Sequence, residues 1–213
     1  MRVVGGAWRG RPLVAPAGRA TRPTSDKVRE AVFDVLQALP ELRQPVGAAP
    51  VGASTGALSG HIVLDLYAGS GALGIEALSR GAARCTFVER ERAALAALRR
   101  NLEAVEVPVL RGTAAPPTDP GASPVARVVA ADVRRALQAD ARAGSMYTLV
   151  LADPPYARSA DAQDALSRLL GPVLAPQAVI VVETSAKEDV ALPWRLVRVK
   201  VYGDTKVAVL VAE

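Results

Sequence analysis

The chain has 213 residues and a formal charge of +5, with a sequence pI of about 9.8; this is enough for one α/β domain with a substantial core and too little for two large ones. Half of the residues are hydrophobic, yet no apolar run reaches the roughly 18 to 20 residues of a spanning helix, and the opening MRVVGGAWRGRPL has no apolar signal core. A soluble, cytoplasmic, monomeric protein with no membrane partner is expected. Cys85 and His61 each stand alone, which excludes an intrachain disulfide and a Cys/His metal cluster, so no metal is expected. Cys85 reads as a small buried strand residue.

The positive charge is mostly arginine and is concentrated early: Arg2, Arg9, Arg11, Arg19, Arg22 and Arg29, with Trp8 and Lys27. Coding bias alone can enrich arginine, so position matters more than the total, and a clustered set favours a polyanionic partner. The glycine-punctuated RVVGGAWRGRPLVAP predicts a small hairpin arm. Its guanidinium forks can pair with phosphates while the Trp8 indole stacks on bases or simply pins the arm to the domain. Arg2, Trp8, Arg9, Arg11 and Arg22 are the candidate nucleic-acid contacts. The arm, residues 1–24, is divided here from a catalytic domain of residues 25–213.

In TRPTSDKVREAVFDVLQAL, Ser25 is placed to cap a helix whose Val28, Val32, Val35, Leu36 and Leu39 recur at helical spacing. Two Pro/Gly/Ala-rich stretches, 43–60 and 112–124, lose all periodicity and are expected to be flexible. Elsewhere strands and helices alternate. HIVLDLYAG, ARCTFVER, ARVVAADV, MYTLVLADPPY and AVIVVE read as strands, separated by amphipathic helices, and the end of the chain predicts a hairpin around Gly203 and Asp204. This pattern gives an α/β, Rossmann-like, doubly wound and mostly parallel sheet with a C-terminal antiparallel hairpin.

Ligands bind such sheets at the carboxyl ends of the strands. Asp65, Glu89, Asp132 and Asp153 all fall there. DLYAGSGALG carries G-x-G-x-x-G at Gly69, Gly71 and Gly74, followed by Glu89, which by itself fits a dinucleotide. A diphosphate on the glycine turn would meet the negative Asp65, whereas a ligand with an ammonium and a sulfonium would be favoured. S-adenosylmethionine is such a ligand. Gly69 and Gly71 would let the backbone approach it, Glu89 would accept from its ribose hydroxyls, and Asp132 would meet the adenine amino group or serve only as a helix cap.

The stretch ADPPY places an acid, two prolines and a ring after the fourth strand. An exocyclic base amine is a poor nucleophile because its lone pair is delocalised. Asp153 and the Pro154 carbonyl can accept its two N–H groups, Pro154 and Pro155 hold the backbone, and Tyr156 can stack on an extruded base. The expected product is an N-methyl base.

RVVGGAWRGRPL, RPTSDKVREAVFDVL, LDLYAGSGALGIEALSRGA, FVER, ADPPY and YGDTK together resemble the bacterial RsmD-type family, from Arg2 to Lys206. The resemblance implies methylation of the N2 amine of a guanine in 16S rRNA of the small ribosomal subunit, at the guanine 966 site. It implies that Asp65, Gly69, Gly71 and Glu89 hold the cofactor, that Asp153, Pro154, Pro155 and Tyr156 hold the target guanine, and that the arm through Arg22 to Thr24 covers the RNA and the cofactor's open side. The same chemistry on adenine N6, or on guanine N2 of another RNA or DNA, is the alternative. A nicotinamide-dependent oxidoreductase is disfavoured by Asp65 and D-P-P-Y. A ribosome assembly factor without catalysis is weakened by the intactness of both motifs.

Overall fold

Eight strands form one sheet: Ile62–Leu66 (β1), Arg84–Glu89 (β2), Val109–Leu110 (β3), Val125–Ala130 (β4), Tyr147–Ala152 (β5), Leu174–Ser185 (β6), Arg195–Tyr202 (β7) and Thr205–Val211 (β8). Their spatial order is β3-β4-β2-β1-β5-β6-β8-β7. The pairs from β3 across to β6 are parallel, and β6–β8 and β8–β7 are antiparallel. The computed structural model describes residues 1–16, 25–42, 56–110, 123–155 and 159–213. Arg22, Thr24 and Tyr156 lie outside these residues, as do 43–55 and 112–122 from the two Pro/Gly-rich stretches.

The helices are Asp26–Ala38 (α1), Ala72–Ser79 (α2), Arg92–Ala104 (α3), Val133–Arg142 (α4) and Ser159–Leu169 (α5). Ser25 caps α1, its Oγ accepting the Val28 amide at 3.2 Å, as the sequence predicts. Side chains alternate across the sheet. Val63, Phe87, Leu149 and Val181 join α1, α2 and α3 in one core, while Leu64, Leu66, Val150 and Val182 join α4 and α5 in the other. Both faces are therefore covered, the doubly wound arrangement expected from alternating elements.

From β1 the chain moves outward through β2 to β4 and then returns to the opposite side of β1 with β5. The strand order reverses between these two central strands, which opens a crevice at their carboxyl ends. The glycine turn follows β1 and D-P-P follows β5, so connectivity alone brings the two motifs to one mouth.

Three expectations change. The two-residue β3 was not anticipated; it pairs with the start of β4 in parallel. The register before Asp132 is settled by β2, with Arg84 opposite Val125 and Glu89 opposite Ala130. Residues 56–60, assigned to a flexible stretch, form a turn that buries Leu58 and gives its amide to the Arg80 carbonyl at 3.1 Å. Among the described residues, no helix is long and apolar enough to cross a membrane.

Candidate functional site

Asp65 points from β1 toward α2, where its Oδ2 accepts the Gly74 amide at 2.9 Å. With 1% of its surface exposed, burial pushes its carboxyl well above the usual range, against the pull of the Gly74 amide; Asp153 and Glu89 push it further up. Asp65 thus senses two of the other acids singled out in the sequence, and the three share one mouth. A folded-state value raised in this way stabilises the protein below the ordinary carboxylate range, and that stabilisation is lost as pH rises through the raised value. The ligand-free wild type is therefore expected to lose stability as pH climbs from mildly acid to alkaline, and Asp65→Asn to flatten that slope in thermal melts. Equal slopes in the two proteins would contradict this assignment.

The turn after β1 is left-handed at Tyr67 (φ 59°), Gly69 (φ 57°) and Gly71 (φ 79°). Such a conformation is strained for a bulky residue and is found mostly at functional sites. Nothing in the sequence signals it at Tyr67, whose phenol is pushed up to about 12 by burial and then by Asp132. The glycines divide the work. Among the described residues, a Cβ on Gly69 would meet nothing nearer than the Tyr67 carbonyl at 3.9 Å, whereas one on Gly71 would come within 2.3 Å of Leu98 and one on Gly74 within 2.3 Å of Phe87. Gly71 and Gly74 let α2 pack against α3 and β2.

Glu89, at the end of β2, does more than await a ligand. Its Oε2 accepts the Gly69 amide at 2.8 Å, and its Oε1 accepts the amides of Arg90 at 2.7 Å and Glu91 at 2.8 Å. A carboxylate offers about four acceptor positions, so about one remains for a ribose hydroxyl. Asp132 caps α4 through the Arg134 amide at 3.0 Å and pairs with Arg90 Nη1 at 3.2 Å. Of the two roles the sequence left open for it, the cap is the one visible here.

Asp153 extends the β5 ladder by one step, its amide reaching the Leu66 carbonyl at 3.5 Å. Its side chain is half-buried, Pro154 is buried and Pro155 is exposed. The carboxylate is therefore held beside the glycine turn by backbone pairing on one side and proline on the other.

The arm is a hairpin with a bridge between Arg2 and Pro12, and its Val3 and Leu13 enter the main core. It is clamped to α2 by Ala7 N–H to Ser79 O (2.7 Å), Trp8 N–H to Ser79 Oγ (2.9 Å) and Val4 N–H to Glu76 Oε2 (2.8 Å). Trp8 is partly buried against that core, the pinning role foreseen as one of its two possibilities. Arg11 is engaged internally, donating through Nη1 to the Ala104 carbonyl at the end of α3 at 2.8 Å. Arg9 is exposed, and Arg2, 70% exposed at its side chain, makes a long contact with Asp26 at 3.9 Å.

Sequence reasoning missed the polar residues inside this junction. Glu76 and Arg29 are fully buried. Glu76 accepts Arg80 Nε at 2.7 Å and pairs with Arg29 Nε at 3.8 Å, while Arg29 Nη2 donates to the Arg2 carbonyl and to Asp26 at 2.7 Å. Asn101 is buried beside the glycine turn. Each was detectable as a polar residue on an apolar helical stripe: Arg29 beside Val32 and Phe33, Asn101 beside Leu98 and Leu102.

A doubly wound sheet whose switch point joins an acid-ended glycine turn to a D-P-P rim is the architecture of a Rossmann-like class I methyltransferase. The chain matches the family described as Conserved hypothetical protein 95 over residues 1–211, and it belongs to that family. It is 34% identical to ribosomal RNA small subunit methyltransferase D of Escherichia coli over 207 residues, 95% of this chain and 85% of that protein. It is 36% identical to the putative rRNA methyltransferase YlbH of Bacillus subtilis over 156 residues, 73% and 67% of the two chains. The solved structure of the putative methyltransferase yhhF from Escherichia coli superposes with a TM-score of 0.68 at 32% identity, covering 100% of this chain and 98% of that one. The resemblance read from the sequence blocks is thereby borne out.

Proposed function

We propose that this methyltransferase uses S-adenosylmethionine to methylate the exocyclic N2 amine of a guanine in 16S rRNA of the small ribosomal subunit, the guanine 966 site being the target the family likeness suggests. One observation carries the cofactor reading: three acids, Asp65, Glu89 and Asp153, act on one another at a glycine turn, where burial first and then the two neighbouring acids push the Asp65 carboxyl up, and no described residue fills the space above Gly69. A diphosphate would add charge of the same sign, whereas a cation relieves the repulsion. When bound, S-adenosylmethionine supplies a methyl group activated by its sulfonium.

Asp65 and the free acceptor position of Glu89 would hold the cofactor, and Asp132 would meet its adenine amine. Asp153 accepts one amine N–H and the Pro154 carbonyl the other, which turns the nitrogen lone pair toward the methyl group. Asp153 would take up, directly or through solvent, the proton that the methylated amine sheds. Tyr156 would stack the base, and Thr24 and Arg22 are assigned to the cofactor's open side and the RNA by the family likeness alone. The test is a tritiated-methyl assay on small subunits, mature 16S rRNA, transfer RNA and DNA, with mass mapping of the product. N2-methylguanine confined to the small subunit or its RNA is expected. A methyl-adenine, or label in DNA, would replace this reading with the alternative acceptor.

Of the arm cations, Arg9 carries RNA contact most directly, with Arg2 and the Trp8 ring beside it. Each phosphate contact contributes about 0.7 to 0.9 to the slope of log affinity against log salt. Arg9→Ala is expected to lower that slope by about this amount and raise KM for the subunit. Arg11→Ala, which removes a bond to the α3 terminus, is expected to lower Tm with little change in slope. The reverse pattern would exchange their roles.

A further inference from the structure

The arm and the glycine turn meet at one side chain. Asn101, on α3 and 1% exposed, accepts the Val14 amide through Oδ1 at 2.8 Å. Through Nδ2 it donates to the Val14 carbonyl at 3.0 Å and to the Ser70 carbonyl at 2.9 Å. Ser70 stands between the left-handed Gly69 and Gly71, in the turn that the functional reading assigns to the cofactor. Val14 belongs to the arm assigned to RNA.

A carboxamide is flat and rigid, so its two ends do not move independently. If the Ser70 carbonyl shifts by a fraction of an ångström, either a buried hydrogen bond is lost or Val14 follows. A parallel tie runs through α2, the helix that the turn opens: its Glu76 holds the Val4 amide at 2.8 Å. The arm therefore has no position independent of the turn's position. Two ligands that each order one of these segments bind more tightly together than apart, and the effect is reciprocal.

We infer that Asn101 is a positioning residue that couples RNA on the arm to cofactor on the glycine turn, each tightening the other. This rests on the functional reading above. The experiment measures the affinity of the full chain for unmethylated small ribosomal subunits with and without saturating S-adenosylhomocysteine, in wild type and Asn101→Leu. Leucine has a similar volume and suits the apolar stripe of α3. Wild type is expected to bind subunits roughly tenfold more tightly with the cofactor product present, and Asn101→Leu to bind each ligand alone within a few-fold of wild type while losing that enhancement.

Hydrogen exchange on the wild type provides a measurement that needs no variant: S-adenosylhomocysteine is expected to slow exchange at the Val14 amide, the donor to Asn101. A purely structural Asn101 would lower Tm and both affinities while preserving their ratio of enhancement. That result, or no enhancement in the wild type, or Val14 exchange indifferent to S-adenosylhomocysteine, overturns the inference. Failure of the functional reading has a different signature. Wild type would then bind no S-adenosylhomocysteine, or Arg9→Ala would leave subunit affinity and salt slope unchanged, and the coupling claim would fall with it.

Discussion

Asp153→Ala is expected to reduce kcat for methyl transfer by about a thousandfold or more while cofactor affinity stays within a few-fold of wild type. The backbone of Asp153 is held by the hydrogen bond from its amide to Leu66 O and by the two prolines that follow, so the loop has supports that do not depend on the carboxylate. Without it the amine nitrogen keeps its lone pair in the ring. The residual effect on the cofactor has a definite origin: Asp153 contributes to the field on Asp65, and its loss eases Asp65 toward the ionised state while removing one negative charge from the mouth. These changes oppose each other. Asp153→Asn keeps one acceptor oxygen and should recover part of the rate. Near-normal turnover in the alanine variant, measured by single-turnover methyl transfer, would move the acceptor site elsewhere.

Glu89→Ala is expected to weaken S-adenosylmethionine binding by about 2 to 4 kcal/mol, a loss of roughly thirty- to a thousandfold. Two effects combine: a ribose hydroxyl loses its acceptor, and the Gly69, Arg90 and Glu91 amides lose theirs. The second effect makes Glu89→Gln an informative companion. Both oxygens accept backbone N–H groups, so a glutamine in either orientation sets its NH2 against an amide donor. Glutamine should therefore fall close to alanine. Titration calorimetry giving wild-type affinity for the glutamine variant would show that the carboxylate does not organise the turn.

The order of strands and helices was legible because periodicity changes sharply at each boundary, and the Ser25 cap was legible from its residue type. The meeting of Asp65 and Asp153 was legible through topology: alternating elements give a doubly wound sheet, and such a sheet has a switch point. The two-residue β3 was not, since two residues show no period. Nor was the internal polar junction: Arg29 was counted only among the clustered arginines, and Glu76 and Asn101 were not singled out, although each falls on a buried helical stripe. Arg11 could not be separated from Arg9 by sequence. What distinguishes them is that one reaches the carbonyl end of α3.

The attachment of the hairpin at the start of the chain also bears on how such a protein can diverge. Val3 and Leu13 fill the central core, and Glu76, Ser79 and Asn101 are satisfied by hairpin backbone. Exchanging this segment for one from an unrelated binder would take a backbone donor from the buried Glu76 carboxylate and open the core in a single step. The segment proposed to meet the nucleic acid and the domain proposed to perform the chemistry are consequently tied together as one unit. A new target is reached by point changes at outward positions such as Arg9, not by recombination of modules.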